Sequence, residues 1–237
     1  MEYFEYGDTE INHLKEKDKI LAAAMDELGH VCREVIPDLH SALILQIISQ
    51  QISTKGAITI WNRLCQAVNP MTAEMIGRTD AAVIQACGMS MRKALYIKEF
   101  SRRVLDGTLD LDGLHAMPDD DVCAYLAEIK GIGVWTAEML MTFSMQRPNV
   151  MSWGDIAIHR GLRMLYRHRR ITRKLFDKYR RRYAPYASVA CLYLWAIAGG
   201  ECKGMTDPAP MSAAKKKAKT RRRPALPKKD GKQAAVA

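Results

Sequence analysis

The residues best suited to chemistry are one aspartate, a pair of glycines and a few aromatic rings. Asp155 stands in Met151-Ser-Trp-Gly-Asp155-Ile-Ala-Ile-His, 22 residues beyond Gly133 of a Gly131-Ile-Gly133 turn. An ionised carboxylate can stabilise a developing positive charge and can orient or deprotonate a water molecule. The same aspartate also suits a helix N-cap ahead of Ile156, and the two roles are compatible. The glycine pair permits torsions that a side chain forbids. The helix that follows offers free N–H groups from Val134, Trp135 and Thr136 and the positive end of its dipole, which together make an anion site. A plain helix–helix turn with a glycine cap would read the same way. Glu138 is a second carboxylate, but it falls inside the helix after the turn and reads as structural. Trp153 and Trp195 offer aromatic faces that attract a cation. Trp195 reads equally as a core residue of an apolar helix, and Trp61 and Tyr193 read as packing residues.

The elements that position these groups are helical almost throughout. Helical periodicity runs over 10–29, 41–50, 54–67 and 90–106, with short helices at 72–77 and 80–86 capped by Thr72 and by Thr79 or Asp80. Pro118 and three aspartates open a helix at 119–128, where acidic residues suit the first turn. Further helices are predicted at 134–145, 156–167, 172–182 and 186–198, with one extended piece near 149–152. The expected fold class is all-α, with two helical lobes in residues 1–202 flanking a cleft. Residues 203–237, with four prolines, clustered lysines and arginines and few large apolar side chains, read as a disordered basic tail.

Composition narrows the partner. Apolar residues make up 48% of the 237 residues, enough for a true core. No apolar run reaches the ~20 residues that a membrane span needs, and the acidic N-terminus has no signal-like apolar core. The six cysteines form no C-x-x-C pair, which argues against zinc-ribbon and iron–sulfur patterns and suits reduced thiols in the cytoplasm. His159 and His168 are not read as metal ligands. The net charge of +10 is unevenly spread: −8 over 1–129, +9 over 130–202 and +9 over 203–237. Positive charge thus begins at the glycine turn, which points to nucleic acid, although a solvated arginine-rich helix face gives the same count.

Four ordered stretches carry a family resemblance. Lys130-Gly-Ile-Gly-Val-Trp-Thr-Ala-Glu-Met-Leu and the later Asp155 resemble the helix-hairpin-helix and catalytic aspartate of the 3-methyladenine DNA glycosylase II family. Leu45-Gln-Ile-Ile-Ser-Gln-Gln51-Ile-Ser-Thr-Lys resembles its early helix, and Cys87-Gly-Met-Ser-Met-Arg-Lys its G-h-S-x-R-K segment. The resemblance covers about residues 35–200 and implies a compact form without an N-terminal β lobe. It implies a glycosylase that flips an alkylated purine out of duplex DNA and hydrolyses its glycosidic bond. Asp155 would be the catalytic carboxylate. Trp195, Trp153, Met139 and Gln50 would line the base pocket, with Met139 where some relatives carry an aromatic. Gly131, Gly133, Val134, Trp135, Thr136 and Gln51 would contact DNA, with Gln51 as the wedge that fills the vacated space. Gln50 and Gln51 also read as an ordinary polar helix end. Trp135 occupies the position of the Schiff-base lysine of bifunctional relatives, which implies base removal without strand nicking. No cofactor is required by the resemblance. A monovalent cation held by the carbonyls of Ala127, Ile129 and Ile132 is its one metal expectation. The expected protein is a monomer, nucleoid-associated if bacterial. A glycosylase for another damaged base, or a non-catalytic DNA clamp, remains compatible with these residues.

Overall fold

The computed structural model describes residues 2–209. The basic clusters at Lys215–Lys219 and Arg221–Arg223 lie outside the described residues. The expected 10–29 helix is two helices, α1 (Asp8–Lys17) and α2 (Lys19–Leu28). Asp18 makes the break. It is extended (φ −149°), and its Oδ1 accepts the N–H groups of Ile20 and Leu21 at 3.0 Å each. A short polar side chain competes with the helix for its own backbone, so a second helix starts where the first ends. On either side of this pair, β1 (Glu2–Tyr3) and β2 (Glu34–Val35) form an antiparallel ladder with Glu2 opposite Val35. This two-residue ladder is the one sheet among the described residues, and the fold is all-α as expected.

The middle of the chain is a helical lobe: α3 (Leu39–Ser49), α4 (Thr54–Ala67), α5 (Ala73–Arg78), α6 (Ala81–Ala86), α7 (Met91–Leu105), a 3-10 turn (Asp112–Ala116), α8 (Asp119–Ala127) and α9 (Val134–Phe143). Side chains of Asp38, Ser53, Thr72, Asp80 and Ser90 accept first-turn N–H groups, so the sequence ends its loops with residues that satisfy helix starts. Leu43, Ile44, Ile47 and Ile48 of α3 are fully buried among Leu64, Ile97, Phe100, Leu126 and Leu140. That burial explains the apolar, non-amphipathic look of α3, which is wrapped by other helices.

The second lobe combines the two ends of the described chain. Helices α10 (Ile156–Tyr166), α11 (Arg173–Tyr183) and α12 (Ala187–Gly199) share one core with α1, α2 and β2. Helices α10 and α12 cross at Gly161, where an added Cβ would lie 2.3 Å from the Leu194 carbonyl oxygen. Asp18, only 4% exposed, ties this lobe together by accepting from Tyr166 at 2.6 Å and Arg182 at 2.5 Å. The expected extended piece at 149–152 is irregular: Val150 N–H goes to the Ser188 side chain at 2.9 Å and finds no strand partner. Packing continues past residue 202. Arg163 grips Asp207 with two bonds of 2.8 and 2.6 Å, and Met205 packs on the second core. Among the described residues no helix is long and apolar enough to cross a membrane.

Candidate active site and DNA-contacting hairpin

Helices α8 and α9 form a hairpin whose turn is pinned from below. Ile129 and Ile132 are buried in the first core, and Ile132 N–H closes onto the Ile129 carbonyl at 2.9 Å. The two glycines serve different ends. Gly131 has φ +92°, and a Cβ there would meet Tyr96 Cδ2 at 2.5 Å. Gly133 has an ordinary φ of −102°, and nothing lies within 4 Å of its missing Cβ. Gly131 is therefore needed to build the turn, whereas Gly133 leaves the mouth of α9 open. Beyond it Val134 is 57% exposed and Thr136 is buried. The first-turn amides of α9 thus stand at an open helix N-terminus, the geometry that receives an anion.

Asp155 sits where the lobes meet, at the start of α10 and against α9. It is 7% exposed. Its Oδ1 accepts Ala157 N–H at 2.8 Å and Ile158 N–H at 2.9 Å, so the cap reading is correct. Its Oδ2 accepts the indole Nε1–H of Trp135 at 3.2 Å. One oxygen holds the helix, and the other keeps lone pairs for a further partner. The Trp135 ring turns to the carboxylate, while the phosphate contact expected of this residue belongs to its backbone N–H at the start of α9. Gly154 packs on that side chain, its missing Cβ falling 3.5 Å from Trp135 Cβ.

One turn further along α9, Glu138 accepts a hydrogen bond from Ser152 Oγ. Burial pushes the Glu138 carboxyl above its ordinary value, against the pull of the Ser152 bond and of the Arg180 and Arg173 charges, with the Asp155 charge adding to the rise. Cys191 of α12 is fully buried, and its thiol is pushed well up by burial first and then by Asp155 and Glu138. Trp135 and Glu138 therefore grip the 152–155 segment at two points of one helix face, spaced i, i+3.

The other expected site residues divide. Gln50 ends α3 and donates its Nε2–H to the Gly131 carbonyl at 2.6 Å, with Thr136 Oγ1 at 3.5 Å. Its amide nitrogen is spent on the hairpin, which ties the end of α3 to the Gly131 turn. Gln51 is exposed with φ +61°, a left-handed conformation uncommon for a side-chain-bearing residue. Trp153 stacks edge-on against His159 (4.6 Å) and Phe176 (5.1 Å), with the Arg173 guanidinium 5.2 Å from its ring. It is held in the second lobe and contacts α11. Trp195, one turn beyond Cys191, is half-buried with its ring 5.1 Å from Phe143, and Met139 is buried. Tyr193 is a packing residue as expected, 1% exposed.

Lys93, Tyr96, Ser152 and Cys191 escaped the reading of the sequence. Lys93 and Tyr96 lie in or just beyond the G-h-S-x-R-K stretch, but periodicity cannot say which backbone a lysine reaches. A separate depression of about 690 Å³ is lined by Asp38, His40, Asp110, Asp112 and His115 and shares no residue with this site. Its carboxylates would repel a phosphate backbone. Part of the positive stretch after residue 130 is neutralised internally, through Arg163–Asp207, Arg173–Asp177 and Arg182–Asp18. Among the described residues no group of three or more His, Cys, Asp or Glu side chains is arranged to hold a metal ion.

A helical hairpin with an open α9 N-terminus, set against a carboxylate at a lobe junction, defines a helix-hairpin-helix fold. The profile described as "HhH-GPD superfamily base excision DNA repair protein" matches residues 44–185, and the chain belongs to that superfamily. It is 34% identical over 161 residues to DNA-3-methyladenine glycosylase 1 of Schizosaccharomyces pombe, covering 66% of this chain and 71% of the relative. The crystal structure of a DNA-3-methyladenine glycosidase from Bacillus halodurans superposes with a TM-score of 0.75 at 34% identity, over 86% of this chain and 96% of that one. The S. pombe 3-methyladenine DNA glycosylase in complex with abasic DNA gives 0.76 at 28% identity, over 84% and 100%.

Proposed function

We propose that the protein is a monofunctional DNA glycosylase that excises alkylated purines, of the 3-methyladenine and 7-methylguanine type, from duplex DNA. The observation that carries this reading is the bond from Trp135 to Asp155, because it joins the phosphate-receiving helix to the buried carboxylate. The names of the relatives, and the abasic-DNA complex of one of them, agree with it.

In this reading the α9 amides and the open Gly133 face receive one phosphate, while Gln51 enters the stack and the target nucleotide leaves it. N-alkylation makes a purine cationic and a better leaving group, and Trp195, Trp153 and Met139 are the pocket side chains for it. As the bond from C1′ to the base nitrogen breaks, its electron pair leaves with the base and positive charge grows on the sugar. The Asp155 carboxylate stabilises that charge. Water then adds to C1′, and its proton passes to Asp155. No lysine stands at Trp135 to attack C1′, so the product is an intact strand with an abasic site. The hairpin carbonyls of Ala127, Ile129 and Ile132 are the candidate ligands of a monovalent cation. The Ile129 oxygen already accepts Ile132 N–H but keeps a second lone pair for such an ion. The working form is a monomer on DNA, associated with the nucleoid in a bacterial cell.

The test is base release from methylated genomic DNA, followed by chromatography. Release of 3-methyladenine and 7-methylguanine with the strand left unbroken supports the proposal. Release of only deaminated or oxidised bases from a panel of single-lesion duplexes would replace the substrate class. A borohydride-stable covalent complex with DNA would overturn the absence of lyase chemistry.

A further inference from the structure

Helix α7 underlies both DNA-facing loops. Lys93 Nζ donates to the carbonyls of Ile48 and Gln50 at 2.7 Å each. These carbonyls belong to the last turn of α3, where the negative end of the helix dipole collects and no intrahelical donor remains. A half-buried ammonium there completes the helix end with charge-assisted bonds. Immediately after it, Gln51 takes its left-handed conformation and begins an exposed stretch through Ser53. One turn along α7, Tyr96 lies under Gly131, leaving no room for a Cβ. Gln50 then bridges the loops directly, its backbone oxygen held by Lys93 and its side chain bonded to the Gly131 carbonyl. The segment carrying Gln51 and the hairpin carrying Gly133 are therefore registered to each other through one helix and one glutamine.

We propose that Lys93 is a positioning residue. By clamping the α3 carboxyl end, it sets the Gln51 loop against the Gly131–Gly133 turn, so that insertion into the stack and grip on the phosphate occur in one geometry. This rests on the reading of the protein as a base-flipping glycosylase. The Lys93 ammonium bonds the α3 carbonyls and not Asp155, so its contribution falls on extrusion of the nucleotide. Burial, and secondarily the neighbouring Arg92 charge, pull the Lys93 ammonium below its ordinary value, while the two carbonyls it bonds favour its charged form.

The experiment compares two substrates, one with the lesion in a fully paired duplex and one with it unpaired in a single-nucleotide bulge. Unpairing removes much of the few-kcal/mol cost of flipping. Single-turnover base release is measured for wild type, Lys93→Met, Lys93→Arg and Gln50→Ala, with melting curves for each. The positioning role predicts that Lys93→Met loses at least about tenfold on the paired lesion but less than about threefold on the bulge, because only the former carries the full extrusion cost. Lys93→Arg, which keeps a cation with several donors, restores part of the paired rate. Gln50→Ala, which keeps α3 capped and removes only the bridge, reproduces the same asymmetry if Lys93→Met does not fold. Equal losses on both substrates, or no loss in either folded variant, would overturn the proposal. If wild type releases no alkylated base from either substrate, the functional reading fails instead.

Discussion

Replacing Asp155 by asparagine separates the two jobs of this carboxylate. Asparagine is as good an N-cap as aspartate, so its Oδ1 keeps the bonds to Ala157 and Ile158 and the start of α10 survives. The other oxygen becomes an NH₂ that faces the Trp135 N–H, now 3.2 Å from a second donor. Losing that bond and leaving a half-buried donor unpaired costs about 1–3 kcal/mol of stability. The catalytic loss is larger. A unit charge about 4 Å from a developing cation is worth about 4 kcal/mol at an effective dielectric of about 20. Removing it should slow base release about a thousandfold, since each 1.36 kcal/mol is about a factor of ten. The assay is single-turnover release of 3-methyladenine from a defined duplex, with the enzyme in excess and below the melting temperature of the variant. Binding to abasic DNA serves as the control for folding and should change by less than about threefold, because the α9 amides that hold the phosphate are untouched. An Asp155→Asn enzyme that retains more than about a tenth of the wild-type rate would refute the electrostatic argument, which demands at least about 1.4 kcal/mol from the charge. Loss of abasic-DNA binding in step with activity would refute the separation of cap from catalyst.

Trp135→Phe keeps an aromatic ring on the Cβ beside Gly154 but removes the Nε1–H together with part of the indole. The charge-assisted bond to the buried Asp155 is lost, so stability should fall by about 1.5–3 kcal/mol, read by circular dichroism, and base release should slow as the carboxylate loses the donor that orients it, read by the same assay below the melting temperature. The two hairpin glycines should respond oppositely. Gly131→Ala forces a Cβ into Tyr96 at φ +92° and should lower stability by about 1–2 kcal/mol or more, whereas Gly133→Ala should melt like wild type yet bind DNA more weakly in a salt titration. Glu138 gives a pH signature. Its folded-state pKa is raised by burial, so the folded protein holds that proton more tightly than the unfolded chain, and stability falls as pH rises past the ordinary glutamate range. Glu138→Gln should therefore gain stability relative to wild type at neutral pH and lose that advantage in acid, measured by denaturant titration at several pH values. An advantage that grew toward acid would reverse the sign of the argument.

Much of the fold was legible because helices are local. The apolar rows of α3 and α7 and the capping side chains of Thr72 and Asp80 mark their helices within a few residues, since each cap satisfies N–H groups only two or three positions away. The break at Asp18 was missed because apolar periodicity runs through it, and only the cap geometry reveals two helices. The sequence by itself also determined the glycine turn, the aspartate beyond it and the change in charge at residue 130, all properties of composition and spacing. The tertiary structure alone decided which groups those residues meet. Trp135 finds Asp155 across 20 residues, Gln50 finds Gly131 across 81, and Lys93 reaches back 45 and 43 residues to the end of α3. Such pairings depend on where helices cross and on which burial leaves a carbonyl or an indole N–H without water. A periodic pattern specifies the face that a side chain occupies, but only the packing of one helix on another supplies the partner.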